Sequence, residues 1–169
     1  MIGKGKSISH GVAALEYDLA KEINGQAVAT EIARHELYGC TGAEMVQEMK
    51  PYHIDFPNVK NNCLRFEVSP SIEESATFTD ADWAELGNDF MQRMGLANHQ
   101  YIIIRHSGTE SKKEQAHLHI LANRVSLSGE LYRDNWIGKK ATEAANAIAK
   151  ERNFVQSQDI GKVNKAEIK

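Results

Sequence analysis

The first periodic pattern of the chain is helical and carries a tyrosine on its polar side. It predicts a helix capped by Ser9 and ended by Gly25. One apolar face at the 3.6-residue period is formed by Val12, Leu15, Leu19 and Ile23. Tyr17 lies about 200° around the helix axis from Leu15, so its phenol points away from that face. By itself this position is typical of an ordinary exposed or half-buried aromatic.

After the first helix, the hydrophobic pattern is again helical, then irregular, and then alternates as in a strand. Residues 30–49 have a helical pattern with a break at Gly42, and residues 51–62 are predicted to be a loop. A half-buried strand is then predicted over residues 63–69, closed by Pro70. Its apolar and polar positions alternate, with Leu64, Phe66 and Val68 on one face and Arg65, Glu67 and Ser69 on the other.

A further helix is predicted from a capping signal followed by an apolar stripe. Thr79 and Asp82 have the spacing of a capping box, and Gly95 ends the pattern. The stripe consists of Trp83, Leu86, Phe90 and Met94. Further on, residues 126–129 are predicted to be a turn and residues 136–152 an alanine-rich helix. The polar tail, residues 156–169, is predicted to be loosely ordered.

Two apolar, β-branched runs between these helices predict a hairpin. They cover residues 101–105 and the segment around residues 117–120, and a polar connection with Gly108 joins them. Strands interspersed with helices, with an antiparallel hairpin among them, predict an α+β fold: a central antiparallel β-sheet with flanking helices.

Three histidines fall on this hairpin. The strand period of two puts His117 and His119 on one face, and His106 at the end of the first strand can approach them. Three imidazoles with an open coordination position are typical of a catalytic metal centre. The remaining histidines are interpreted as surface or satisfied polar residues: His10, His35, His53 and His99.

Composition narrows the class of protein. The 169 residues, 41% hydrophobic and 25% charged, fit one globular domain. No apolar run approaches twenty residues and no signal peptide is recognisable, so a cytoplasmic protein without membrane insertion is expected. The two cysteines, Cys40 and Cys63, have no metal or disulfide spacing. The net charge of −3 disfavours a protein that binds a polyanion with its whole surface, but clusters of basic residues could still bind phosphates locally. They are Lys4, Lys6, Arg105, Arg124, Arg133, Lys139 and Lys140.

The order of these signals resembles a known family. The series runs from Tyr17 through the strand ending in Ser69-Pro70 and the Thr79 helix to His106, His117-x-His119 and Asn123-Arg124. It closely resembles the relaxase/mobilisation nuclease domain of plasmid and transposon mobilisation proteins, in the HUH endonuclease superfamily. The likeness covers about residues 2–154, which suggests a relaxase domain over residues 1–155. The chain would be either a piece of a longer relaxase or a minimal enzyme.

The resemblance implies a function and a set of residue roles. It implies a bacterial enzyme that nicks and rejoins single-stranded DNA at an origin of transfer, with Tyr17 as nucleophile and a 5′-phosphotyrosyl intermediate. His106, His117 and His119 would bind the metal, magnesium or manganese in use, although imidazole ligands favour zinc by affinity. Accessory mobilisation and coupling proteins are expected partners. Asn123 and the basic residues named above are DNA-binding candidates.

A carboxylate that holds a metal-binding histidine in one tautomer is also expected. Glu67 is the candidate, and the alternatives for it are a salt bridge with Arg65 or simple exposure.

Other functions remain open from the sequence. A replication initiator or transposase of the same superfamily would use a tyrosine after the histidines, where Tyr132 is the only one. A non-catalytic DNA-binding module and a metal hydrolase of small molecules are further alternatives.

Overall fold

The computed structural model of the protein describes residues 1–108 and 115–168. Within them, five strands form one antiparallel sheet in the order β1-β5-β7-β6-β4, and β2 and β3 form a separate short hairpin. The strands are β1 Ile2–Ile8, β2 Glu22–Ile23, β3 Gln26–Ala27, β4 Ala29–His35, β5 Cys63–Ser69, β6 Tyr101–His106 and β7 His117–Asn123. The predicted α+β class is confirmed.

Helices cover both faces of the sheet. They are α1 Gly11–Leu19, α2 Gly42–Met49, α3 Ile72–Ser75, α4 Asp80–Arg93, α5 Ile137–Glu151 and α6 Ile160–Ile168, with a 3₁₀ turn at Lys50–His53. None of the helices in residues 1–108 and 115–168 has the length and apolar character needed to cross a membrane.

Two cores pack against the two faces of the sheet. On one face, the alternate β7 residues Leu118, Ile120 and Ala122 join Phe66 and Phe90 in the larger core, which α4 and α5 cover. On the other face, α1 and α2 cover a smaller core. That core contains Leu15, Met45, Cys63, Ile102, Ile104 and Leu121. It leaves uncovered the part of this face where β6 ends and β7 begins, and the site lies there.

The sequence predictions hold where a strong apolar pattern meets clear end signals. The capping box joins Thr79 to Asp82 in both directions, α4 follows it, and the predicted stripe is buried. Gly95 adopts a left-handed conformation directly after this helix, with φ of 77°. The predicted strand at residues 63–69, the hairpin strands and the alanine-rich helix are also confirmed. The connection of that hairpin lies largely outside the described residues.

The N-terminal prediction is wrong in two respects. Residues 2–8 form an edge strand that was not predicted, and α1 is capped at His10, not Ser9, and ends at Leu19. The strand lacked an apolar alternation because its positions on the side of the larger core are Gly3, Gly5 and Ser7. A Cβ on Gly3 would lie 2.3 Å from the Ala141 carbonyl oxygen, so α5 packs directly against the β1 backbone.

The helix predicted over residues 30–49 is wrong in its first half. Residues 29–35 form β4, the opposite edge of the sheet, and α2 begins only at Gly42. Helices cover this edge strand only in part, so its burial pattern is mixed. Such a pattern can resemble the 3.6-residue period of a helix. The start of α2 is set by a capping box between Thr41 and Glu44.

The polar tail also differs from its prediction, because residues 160–168 form a helix. Ile160 is 3% exposed, and the Asn164 side-chain oxygen accepts a hydrogen bond of 3.0 Å from the Ile72 backbone. Burial of Ile160 and the hydrogen bond to the start of α3 therefore hold in place a segment whose polar composition had predicted loose order.

Candidate active site

The three predicted metal ligands meet where β6 ends and β7 begins. His106 and His117 are opposite each other in the β6–β7 register, and His119 is two residues further along β7. The ring centroids are 5.4 Å apart for His106 and His117, 4.4 Å for His106 and His119, and 4.8 Å for His117 and His119. One ring nitrogen from each residue lies within 4.8 Å of the others. These three side chains could hold a metal ion.

Backbone carbonyls select the tautomers of two of these rings. The His106 Nε2 is 2.7 Å from the Asp18 carbonyl oxygen, and the His117 Nδ1 is 2.9 Å from the Gln115 carbonyl oxygen. A carbonyl oxygen only accepts, so these nitrogens carry the hydrogens, and the His106 Nδ1 and His117 Nε2 keep their lone pairs. The His117 Nε2 is 3.0 Å from the His119 Nε2.

The surroundings keep the buried imidazoles neutral. Burial, with the neighbouring His106 and His117, lowers the pKa of His119 to about 2. Burial also lowers the pKa of His106, partly offset by its hydrogen bond to the Asp18 carbonyl. Neutral imidazoles are the form that binds metal ions. The donor set therefore fits a divalent cation, and by affinity alone it favours zinc and other later transition ions over magnesium.

Tyr17 shares a cavity with the histidines. Its side chain on α1 is 59% exposed, as its position away from the apolar face predicts. A cavity of about 230 Å³ is lined by both groups of residues. Its walls are Tyr17, Lys21, Val28, Glu67, His106, Ser107, His117 and His119.

Lys21 is a site residue that the sequence analysis missed. Its ammonium donates a hydrogen bond of 3.1 Å to the Tyr17 hydroxyl oxygen and lies 5.3 Å from the centre of the ring. The signal was present in the sequence, since side chains four residues apart on a helix are neighbours. Lys21 follows the last turn of α1, where the predicted longer helix would have placed it on the same side as Tyr17.

A buried ion pair joins the tyrosine helix to the sheet and was also missed. Asp18 is 1% exposed, and its two carboxylate oxygens accept hydrogen bonds from Arg65 at 2.5 and 3.2 Å. The same residue accepts the hydrogen bond from His106 through its backbone carbonyl. Asp18 thus fixes the α1 segment that carries Tyr17 relative to the histidines. A charged residue three positions after Leu15, on the buried side of the helix, was the available signal.

Glu67 faces the same site without holding a histidine. It is opposite His119 in the β5–β7 register and opposite Lys4 in the β1–β5 register, and it lines the cavity. Among the described residues the Glu67 side chain forms no hydrogen bond, and the contacts that select the histidine tautomers come from backbone carbonyls. Arg65 pairs with Asp18 and not with Glu67. A role for Glu67 in orienting a histidine stays a prediction.

Two of the basic candidates lie beside the site. Lys4 and Lys6 on β1 line a second cavity of about 210 Å³, together with Arg65, Glu67 and His119. We call this cavity the β1 groove. Both lysines project from the edge strand on the face that carries the histidines, because they are in register with Glu67 and Arg65.

Other DNA-binding candidates have structural contacts away from the histidines. Arg105 projects from the opposite face of the sheet and forms a salt bridge of 2.6 Å with Asp80. Asn123 is completely buried and hydrogen-bonds His53 and Gln100, so it lies inside the protein. Arg124 is bound to two backbone carbonyls and to Asp134.

The last three basic candidates cluster around the start of α5. Arg133 and Lys139 are exposed, and Lys140 lies over the Tyr132 ring at 5.4 Å. The histidines interpreted as surface or satisfied polar residues have those roles: His10 is exposed, and His35, His53 and His99 hydrogen-bond other groups.

One of three comparisons with known proteins identifies the family. Neither the curated proteins nor the solved structures contain a match to this chain. A family described as "Relaxase: MobA/VirD2-like, nuclease domain" matches residues 17–154, a span that begins at Tyr17 and includes all three histidines. A relaxase nuclease domain implies a DNA-nicking enzyme that acts on a DNA substrate. The chain belongs to the MobA/VirD2-like relaxase nuclease family.

Proposed function

We propose that the protein nicks and rejoins single-stranded DNA at an origin of transfer, with Tyr17 as the nucleophile. The observation that carries this proposal is the cavity in which the Tyr17 side chain and the three histidines meet. The Tyr17 oxygen attacks the scissile phosphorus and the bond from phosphorus to the 3′-oxygen breaks. The phosphate at the 5′ end of the cut strand stays bonded to the Tyr17 oxygen. The 3′-oxygen takes a proton and leaves as a free 3′-hydroxyl. The reverse reaction rejoins the strand.

The histidines would hold a divalent cation, and we propose magnesium or manganese in use. When bound, such an ion supplies Lewis-acid stabilisation of the negative charge on the non-bridging phosphate oxygens. The chain contributes three imidazole rings with one nitrogen from each close together, and two of the rings are held in one tautomer by the Asp18 and Gln115 carbonyls. Neutral ligands leave the full charge of the ion available to the phosphate.

Lys21 would assist Tyr17 in both directions. The ammonium that donates to the Tyr17 oxygen stabilises negative charge on that oxygen, whether the phenolate attacks or leaves. A phenol, with an ordinary pKa of about 10, is also a far better leaving group than an alkyl alcohol. The phosphotyrosyl bond therefore keeps the energy needed for rejoining.

The strand would continue along the β1 groove. Lys4 and Lys6 line this groove beside His119, and their charges suit the phosphates next to the scissile bond. Accessory mobilisation and coupling proteins would open the duplex and deliver the strand, in a bacterial cytoplasm.

A replication initiator that uses the downstream tyrosine is less well supported. The Tyr132 hydroxyl donates a hydrogen bond of 2.9 Å to the Met94 carbonyl, and burial raises the pKa of Tyr132. Tyr132 is also absent from the walls of the histidine cavity. Tyr17 is the better nucleophile for either biological role.

The test is capture of DNA by the protein. Single-stranded oligonucleotides spanning candidate transfer origins are incubated with manganese, and denaturing gels detect the covalent adduct. We expect an adduct with the unaltered protein and with Tyr38→Phe, a control for an exposed tyrosine elsewhere, and none with Tyr17→Phe. An adduct that persists in Tyr17→Phe and disappears in Tyr132→Phe would overturn the assignment. Failure of both magnesium and manganese to restore nicking after chelation would refute the proposed metal.

A further inference from the structure

Trp136 is presented to solvent in an unusual way. Its side chain is 79% exposed, whereas the other tryptophan, Trp83, is 2% exposed in the larger core. Its backbone is left-handed, with φ of 58° and ψ of 27°, directly before α5. Bulky residues rarely adopt this conformation, and such outliers concentrate at functional sites. Among the described residues, no hydrogen bond or ring contact engages the indole. The fold holds a large apolar ring outward without using it for packing.

This residue lies beside the edge strand of the β1 groove. Two residues before it, Asp134 accepts a hydrogen bond of 2.7 Å from the Ser7 hydroxyl on β1. Two residues after it, a Cβ on Gly138 would lie 3.6 Å from the Gly5 carbonyl oxygen. Gly5 is itself a wall of the groove, between Lys4 and Lys6. Contacts on both sides therefore tie Trp136 to the strand that lines the groove.

The charges around Trp136 are suited to a polyanion. Arg133 and Lys139 are exposed, and Lys139 has one solvent-exposed ion pair, 3.8 Å from Glu143. Lys140 stacks its ammonium over Tyr132 nearby. Exposed ion pairs of this kind are weak, so Lys139 stays available to a phosphate. An exposed aromatic ring among cations is the combination with which proteins bind single-stranded nucleic acid, by stacking bases and neutralising phosphates.

We propose that Trp136 stacks on a base of the single strand that leaves the active site along the β1 groove. The proposal rests on the proposed function, and it adds a contact with a base to a site otherwise built to bind phosphates. Stacking tolerates every base because each has a π face, so this contact contributes affinity and holds the strand in place more than it selects a sequence.

The test uses the fluorescence of the intact protein. Trp136 is exposed and Trp83 is buried, so quenching by single-stranded DNA reports mainly on Trp136. We expect oligothymidylate and the transfer-origin oligonucleotides to quench the emission. An oligonucleotide of the same length with abasic sites, which keeps the phosphates without bases, should bind without comparable quenching. Quenching of equal size by the abasic strand, or no quenching by DNA that is bound, would overturn the proposal.

Substitutions separate stacking from other effects. We expect Trp136→Ala to weaken binding of the single strand about tenfold, and Trp136→Phe to retain most of the affinity, because phenylalanine still stacks. Tyr38→Ala, at an exposed aromatic elsewhere, is the matched control and should bind normally. Unchanged affinity in Trp136→Ala would contradict the proposal and would favour a protein partner for this ring.

The two proposals fail differently. Covalent capture at saturating DNA should persist in Trp136→Ala, because the variant keeps Tyr17 and the histidines. Base-dependent quenching without any adduct would uphold Trp136 stacking and refute the nuclease assignment. An adduct without quenching would do the reverse.

Discussion

The two faces of β7 show how one strand serves packing and chemistry. Leu118 and Ile120 face the larger core and are completely buried there. His117 and His119 alternate with them and face the cavity that contains Tyr17. The apolar face is closed by α4 and α5, whereas the histidine face is covered only in part, by α1 and α2. Stability and catalysis should therefore respond separately to substitutions on adjacent residues.

The largest effect should come from the apolar face. We expect Phe90→Ala to lower the free energy of unfolding by about 3–5 kcal/mol, because Phe90 is fully buried and packs edge-on against Phe66 at 5.5 Å. Chemical denaturation measures this loss. At temperatures where the variant is folded, its metal affinity should match that of the unaltered protein. A large fall in metal affinity would mean that the two faces are coupled.

A substitution on the histidine face should lower metal affinity and leave the free energy of unfolding nearly unchanged. We expect His119→Gln to weaken manganese binding about 100-fold, equivalent to about 2.7 kcal/mol, because one of the three proposed ligands is lost. Calorimetry measures the affinity. The free energy of unfolding of the metal-free variant should change by less than about 1 kcal/mol at pH 7. His10→Gln, at an exposed histidine, is the control. Equal affinity in both variants would exclude the histidine site.

Acid should act on the histidine face before it acts on the core. An unfolded histidine has a pKa of about 6.5, whereas that of His119 in the fold is lowered to about 2. The unfolded state therefore binds more protons below pH 6.5, so the stabilising effect of neutral His119 is complete above that pH and declines below it. For metal-free protein we expect a loss of about 2 kcal/mol between pH 6.5 and 5. Denaturation should show a shallower decline in His119→Gln; identical pH profiles would contradict the buried neutral ring.

The smallest effect should come from a helix end remote from the site. We expect Thr79→Ala to destabilise the protein by about 1 kcal/mol, because its hydroxyl oxygen accepts the Asp82 backbone hydrogen bond at the start of α4. Thermal unfolding measures the change. Thr79→Ser keeps the hydroxyl and should restore the stability. Any change in DNA capture would show that α4 influences the site.

Elements with a strong local pattern were predicted from the sequence, and the edge strands were not. The α4 stripe, the β5 alternation and the histidine hairpin were predicted because each has a strong local period with end signals. The edge strands were not, since β1 uses glycines for close packing and β4 is only partly buried. In a sheet whose edges pack irregularly, the missing information is the contact partner, which no local pattern contains.

The site was predictable where it depends on local spacing. His117 and His119 share a face because the strand period requires it. Lys21 was predictable in the same way, because it lies four residues after Tyr17, but its pairing with Tyr17 was overlooked. The pairing of Asp18 with Arg65 joins residues far apart in the chain, and the sequence offered a nearer alternative in Glu67. Long-range ion pairs of this kind need the fold.

The alternation along β7 also bears on how the chain reaches its native state. Because the side-chain period is two, a slip of one residue in strand pairing would turn the histidines into the larger core and expose Leu118 and Ile120. β7 lies between β5 and β6, so its alignment has to be correct with two neighbours at once. Only the native β6–β7 register brings His106 opposite His117. A metal ion that binds both side chains would therefore stabilise this register over registers shifted by one residue.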